Sequence, residues 1–250
     1  MSKVLIITAI HKEYWVPKDK MYLPIQVGDG DSLGFIRDNS GDNISNKNKN
    51  YCELTAMYWV YKNLHNYDYI GLDHYRRHFS KNILGNKKYR VITERQINKY
   101  LNEDVVILPK PRNYYIETNY SQYIHAHNEE DLVITRQIIN EKYPEYIITF
   151  DKYMKLTKGH RFNMMVMPKG IFINYCEWLF DILFELENRL NINDYSKYDQ
   201  RVFGFVSERL LDVYIYHNNI KFTELPYVYM ERINWIKKGI KFLGRKFNRG

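Results

Sequence analysis

Cysteine is nearly absent: the 250 residues hold two, Cys52 and Cys176. Both fall inside helical patterns, and their separation suits neither a zinc site nor a disulfide framework, so buried free thiols in a reducing compartment are expected. No apolar run is long enough to span a bilayer. The opening MSKVLIITAIHKEY is too short in its apolar part for a signal peptide and reads as a first strand. Walker loop, dinucleotide-binding glycine fingerprint and Ser-His-Asp order are all missing, which argues against kinase, dehydrogenase and hydrolase chemistry. No internal repeat or composition break divides the chain, so one domain over residues 1–234 is expected, with a distinct tail at 235–250.

Positive charge and tyrosine are plentiful. The formal net charge is +8 and 24 residues are Tyr. An excess of cations calls for an anionic partner: nucleic acid, a membrane surface or a phosphorylated ligand. Tyrosine offers a flat apolar face with a polar tip, which suits both half-buried packing and sugar stacking.

Apolar periodicity organises the rest. Residues 3–9 form a β-rich run ending at His11 and Lys12, and 28–50 read as a long aperiodic loop. Asn50 is placed to cap a helix, with Glu53 at the capping-box position and Leu54, Met57, Tyr58, Tyr61 and Leu64 at helical spacing. Residues 67–72 form the next strand and run into Asp73-His74-Tyr75-Arg76-Arg77. A helix at 93–102, a strand at 104–108 before Lys110 and Arg112, and helices at 129–142 and 144–155 follow. A strand at 162–167, a helix at 170–190 apolar on nearly all sides, and a helix at 200–217 complete the pattern. Alternating strands and helices imply an α/β fold with a mostly parallel sheet, flanked by helices and with helical additions in the C-terminal half. Ligands of such sheets bind beyond the carboxyl ends of the strands, where His11, the 73–77 cluster, Lys110 and Arg112 fall.

In the 73–77 cluster, arginine forks match phosphate oxygens and stay charged at any relevant pH. An Asp-x-Asp pair, which would grip a diphosphate-bridging metal, is broken here by Tyr75. Asp29-Gly30-Asp31 does spell that motif, but inside a glycine-rich loop. Asn163 opens the fourth strand. Asp199 stands at a helix N-terminus as either a cap or a positioned base. Arg201 and Glu208 lie two turns apart on one face, as an ion pair or as acceptor contacts. His125 and His127, with Asp131 behind, sit where a loop enters a helix, and polar packing or acceptor contact is favoured over metal ligation. From Trp235 the tail carries six basic residues and no acidic one. Ile236, Ile240, Leu243 and Phe247 share one helical face, an interfacial pattern suited to anionic headgroups.

The stretches LIITAIHKEYWVP, YLPIQVGD, GDNISNKNKNYCELTAMYWVYKN, YIGLDHYRRHF, ILPKPR, FNMMVMPKGIFINYCEWLFDILFELE and RVFGFVSERLL together resemble a family of bacterial capsular and exopolysaccharide glycosyltransferases, long catalogued as a domain of unknown function. The resemblance runs in order over nearly the whole chain, and implies a GT-A-like fold and a sugar-nucleotide donor. Some relatives are similar to inverting galactofuranosyltransferases, which makes UDP-galactofuranose the leading donor.

An inverting transfer needs a base for the acceptor hydroxyl and a device that stabilises the departing diphosphate. Arg76, Arg77 and His74 are expected on the diphosphate, with Lys110 and Arg112 in support and His11 beside the nucleotide. Asp199 and Asp73 are the candidate bases, with Asp73 alternatively on the donor sugar; Asn163, Arg201 and Glu208 are expected at the acceptor. No protein metal site is expected, although manganese or magnesium could assist. The expected setting is cytoplasmic, at the inner membrane face through the tail, with a glycan or lipid-linked glycan acceptor and no nucleic acid. Two other classes are weighed. A polyanion-binding protein would array its cations along one face rather than at strand ends. A glycan hydrolase would need paired carboxylates across a cleft.

Overall fold

A computed structural model of the protein describes residues 2–231. The expected tail helix at 235–250 lies outside the described residues, as does the end of the expected domain.

The core is a twisted mixed sheet. β1 (Val4–Ile10), β2 (Tyr22–Gln26), β3 (Ile36–Arg37), β4 (Tyr69–His74), β6 (Val105–Pro109), β9 (Met165–Pro168) and β10 (Lys221–Leu225) run in the order β10-β6-β9-β4-β1-β2-β3. All but β9 point the same way; β9 is antiparallel to both β4 and β6. β5 (Arg77–Phe79) folds back from β4 and pairs with β11 (Tyr227–Tyr229). A separate ribbon joins β7 (Arg112–Asn113) to β8 (Lys158–Gly159). The architecture is a mostly parallel sheet flanked by helices, a GT-A-like fold.

β1, VLIITAI, is buried at every position, as a central parallel strand covered on both faces must be. Its odd residues Leu5, Ile7 and Ala9 face a layer built by α2 (Leu54–Asn63), α6 (Glu129–Lys142), α7 (Ile147–Lys155), α8 (Lys169–Arg189) and α9 (Val202–His217). The even residues Val4 and Ile6 face a thinner layer under the β5–β11 ribbon and α4 (Glu94–Ile97), with α3 (Lys87–Arg90) outside it. Between β4 and β9 the backbones crowd: a Cβ on Gly71 would lie 2.6 Å from the Met165 carbonyl oxygen. Only glycine fits there.

Several elements depart from the sequence reading. The expected helix capped by Asn50 is two pieces, α1 (Asn48–Tyr51) and α2, broken at Cys52 with φ 54° and ψ −128°. Asn50 lies inside α1 and its side chain donates to the Gln200 carbonyl at 2.8 Å. The expected helix at 93–102 is a single turn, α4, closed by a Thr93–Gln96 capping box. The helices expected at 144–155 and 200–217 each begin with a 3₁₀ turn, Pro144–Tyr146 and Asp199–Arg201. Phe162 and Asn163 do not open β9 but precede it with φ of 75° and 53°. The strands β3, β5, β7, β8 and β11 hold two or three residues, too few to show a period, and β2, β10 and the helix α5 (Asn119–Ile124) are further additions to the sequence reading. Within the expected loop 28–50, β3 pairs with β2.

Candidate active site

Parallel strands bring the ends of β1, β2 and β4 to one edge, where a cavity of about 440 Å³ opens. Its floor holds Ala9, His11 and Lys12 from the end of β1, and Val27 from β2. His74, Tyr75 and Arg76 come from the β4–β5 turn. The opposite wall is the α1–α2 break, with Asn48, Lys49, Cys52 and Glu53, closed by Arg201 ahead of α9. Among the described residues lining the cavity, four are permanent cations (Lys12, Lys49, Arg76 and Arg201) and one, Glu53, is a carboxylate.

Strand alternation divides the Asp73–Arg77 cluster between the two faces of the sheet. Asp73 opposes Thr8 across β1, is wholly buried, and has both oxygens engaged. Thr8 Oγ1 donates to one at 2.7 Å and His78 Nδ1 to the other at 2.7 Å. Asp73 therefore does not line the cavity, and its expected roles as base or donor-sugar contact are corrected to an interior polar link. The next residue, His74, turns to the helical face, where its Nε2 hydrogen-bonds the Phe162 carbonyl and lies 3.8 Å from Glu53 Oε1. Tyr75, at the would-be second acid of Asp-x-Asp, is buried and lies beneath two cations. Lys12 Nζ is 5.6 Å and the Arg76 guanidinium 5.1 Å from its ring centre, close enough for cation–π attraction.

Arg76 lies 3.6 Å from Glu231 and keeps a buried Nε without a hydrogen-bond partner among the described residues. Arg77 lies outside the lining: its guanidinium is 4.3 Å from the Phe162 ring centre and 5.0 Å from that of Tyr229. Desolvation there pulls its pKa down. His11 packs edge-on against Tyr75 at 5.2 Å. Partial desolvation, then the charges of Lys12, Arg76 and Arg201, hold its imidazole below 6.5.

The sequence marks Glu53 only as a helix cap. In the structure it makes no capping bond; its carboxylate faces the cavity and accepts from Asn163 Nδ2 at 2.8 Å. Asn163, expected at the acceptor, is buried and instead positions Glu53, while its oxygen accepts from Ser207 Oγ at 2.9 Å. Arg201 does not pair with Glu208. Its Nε donates to Cys52 Sγ at 3.0 Å, and Glu208 pairs with Arg209 at 3.2 Å. Cys52 thus borders the cavity rather than lying wholly inside the core, as Cys176 does. Burial raises the Cys52 thiol to about 11, so it stays protonated.

Asp199 sits one turn before α9 and is not part of the cavity wall. It accepts from Ser196 Oγ at 2.7 Å and lies 3.2 Å from His127 Nδ1, whose ring stacks on Phe205 at 4.1 Å. His125 pairs with Glu117 at 2.7 Å. Lys110 and Arg112 are exposed beyond β6, two strands from β4, and Arg112 leans on Tyr114. Asp31 and Gly30 turn backbone carbonyls toward Gln26, so the Asp29–Asp31 segment is a braced loop. Among the described residues no group of three or more His, Cys, Asp or Glu side chains converges as metal ligands. Lys49 and Glu53 carry no signal in the sequence that sets them apart from a helix surface.

A solved apo structure of WbbM, a bifunctional glycosyltransferase, is similar to this chain at 32% identity with a TM-score of 0.84. The likeness covers 92% of this chain and 46% of that one, so the chain spans about half the length of the protein it matches. A search of the curated proteins finds no match. Residues 5–219 match the family described as a domain of unknown function, DUF4422. With most of its length accounted for by that match, the chain belongs to the DUF4422 family.

Proposed function

We propose that the protein is a glycosyltransferase that takes a sugar from a nucleoside diphosphate donor at the cavity beyond β1 and β4. The observation that carries this reading is the wall of Lys12, Lys49, Arg76 and Arg201 against one carboxylate, Glu53. Such a cation surplus at strand ends suits a diphosphate and stabilises the charge that develops as it departs. The likeness to WbbM supports glycosyl transfer as the chemistry. A glycan hydrolase would need a second carboxylate across the cleft, and the described lining provides none.

In this reading Arg76 and Arg201 hold the diphosphate from opposite walls, with His11, kept neutral, beside the nucleotide. Glu53 takes the proton of the acceptor hydroxyl, since it is the lining carboxylate and Asn163 fixes its direction. His74, locked by the Phe162 carbonyl, braces that pair. Asp199 stands with His127 and Phe205 on the acceptor side, with Arg77 and Glu208 as a further charged margin. UDP-galactofuranose is the proposed donor, the transfer inverting, and the acceptor a capsule, O-antigen or exopolysaccharide glycan.

The test is direct. UDP should raise the melting temperature, because a ligand selective for the native state stabilises it. Arg76→Ala and Arg201→Ala should each weaken UDP binding by about 1.5–3 kcal/mol, the scale of a charge-assisted hydrogen bond. UDP release from UDP-galactofuranose should require a glycan acceptor. If both variants bind UDP like the parent, the diphosphate is held elsewhere.

A further inference from the structure

Residues 81–90 leave the end of β5 as a projecting loop. Its base is stapled: Ser80 bridges Val91, Lys81 N–H donates to the Arg90 carbonyl at 3.0 Å, and Arg90 Nε donates to the Asn82 carbonyl at 3.2 Å. Its tip turns through Gly85 at φ 93°, with no atom near enough to touch an added Cβ. Ile83 is 68% exposed, and Leu84 and Tyr89 are each 78% exposed. A stretch this short does not ordinarily offer three large apolar groups to water.

The same loop carries Lys81, Lys87, Lys88 and Arg90, and from residue 80 to residue 93 there is no acidic residue. Among the described residues none of the four cations forms an ion pair. Apolar residues at a tip with cations behind them match the two layers of an anionic bilayer, acyl chains beneath charged headgroups. Lys87 Nζ also holds the Glu231 carbonyl at 2.7 Å. Residue 231 is therefore tied directly to the loop.

We propose that loop 81–90 is a membrane-contacting surface that inserts Ile83 and Leu84 among acyl chains and sets its cations on anionic lipid headgroups. Its position gives the contact a use. Glu231 joins the loop's Lys87 to the cavity's Arg76, and Lys81 follows Arg76 by five steps of chain, on the order of 17 Å at full extension. The cavity then stands within reach of the headgroup layer, and an acceptor carried on a lipid would meet it there. This use rests on the glycosyl-transfer reading; the membrane contact itself does not.

The test uses the full chain without any sugar nucleotide, so its outcome is separate from that of the donor reading. The parent should float with vesicles of phosphatidylcholine and phosphatidylglycerol and far less with phosphatidylcholine alone. Ile83→Ser combined with Leu84→Ser should weaken binding to the anionic vesicles by about tenfold or more. Both positions are exposed, so melting temperature and UDP affinity should hold. Lys81→Glu, also at an exposed site, should weaken vesicle binding in the same direction. Leu84→Trp should show blue-shifted emission on the vesicles and quenching by bromine-labelled acyl chains. A parent that fails to float overturns the proposal. So does a serine double variant that floats like the parent, or a blue-shifted emission of the Leu84→Trp variant that is absent or that lipid bromine leaves unquenched.

Discussion

Two acidic positions show how side-chain direction decides a residue's work. Asp73 reads in the sequence as the polar leader of a cationic cluster, yet β4 continues through it and aims its carboxylate at Thr8 and His78. Asp73→Asn should therefore lower the melting temperature, by about 1.5–3 kcal/mol of stability for a lost charged hydrogen bond, and leave UDP affinity in the folded protein unchanged. Glu53 behaves oppositely. Glu53→Gln keeps the shape and removes the base, so turnover should fall about 10²–10⁴-fold, with UDP affinity held, in a single-turnover assay. Full activity in Glu53→Gln would transfer the base to Asp199, and Asp199→Asn would then carry the loss. That Asp73 turns inward while Glu53 lines the cavity is not legible in the sequence. It depends on whether a strand stops at residue 72 or 74, and on where a helix breaks, and no local pattern fixes either.

At the scale of elements, the break between α1 and α2 is the feature that builds the cavity wall. Cys52 holds a backbone conformation normally left to glycine, at a cost of about 1–3 kcal/mol, and in doing so turns Glu53 and Lys49 to the cavity. Cys52→Gly should then be more stable than Cys52→Ala by about 1 kcal/mol in urea, the reverse of the order at an ordinary helical site. The longest strand, β1, and the three longest helices, α6, α8 and α9, are legible from periodicity. This break is not, because no glycine or proline marks it. A second link joins the loop before β9 to α9: buried His160 contacts Asp212 at 2.5 Å and Glu224 at 3.4 Å. Burial alone would depress its pKa, but hydrogen bonding and charge from Asp212, then Glu224, raise it above 6.5. The folded state then binds the proton more tightly than the unfolded chain. The stabilisation is full below pH 6.5 and is lost as pH rises through the raised value. Urea midpoints of the parent should fall over that window, and those of His160→Gln should fall less.

For the whole molecule, six co-directional strands gather their carboxyl ends at one edge, where the cavity opens, and that parallel arrangement followed from the alternating pattern of strands and helices. Lys12 and Arg76, from the first two strand ends, do meet at one cavity, while Arg77 stands outside it; Lys110 and Arg112 do not reach it, because β9 intervenes between β6 and β4. With Tyr75 where a second metal-binding acid would stand, transfer is expected to survive EDTA, and complete loss restored by manganese or magnesium would count against it. The reversed strand β9 has a further consequence for the order in which the protein becomes competent. It pairs Tyr69 with Pro168 and Ile70 with Met167, close to a hundred residues apart in the chain, so its loop closure is among the slowest contacts to form. The segment feeding it holds Phe162 and Asn163, which fix His74 and Glu53. A nascent chain that has already emerged through β4 thus holds Arg76, one of the two arginines proposed for the diphosphate, but Glu53, the proposed base, lacks its Asn163 partner until the segment before β9 follows. Arg201, the other arginine proposed for the diphosphate, follows later still, so donor affinity and catalysis would both be acquired only once the C-terminal half has emerged.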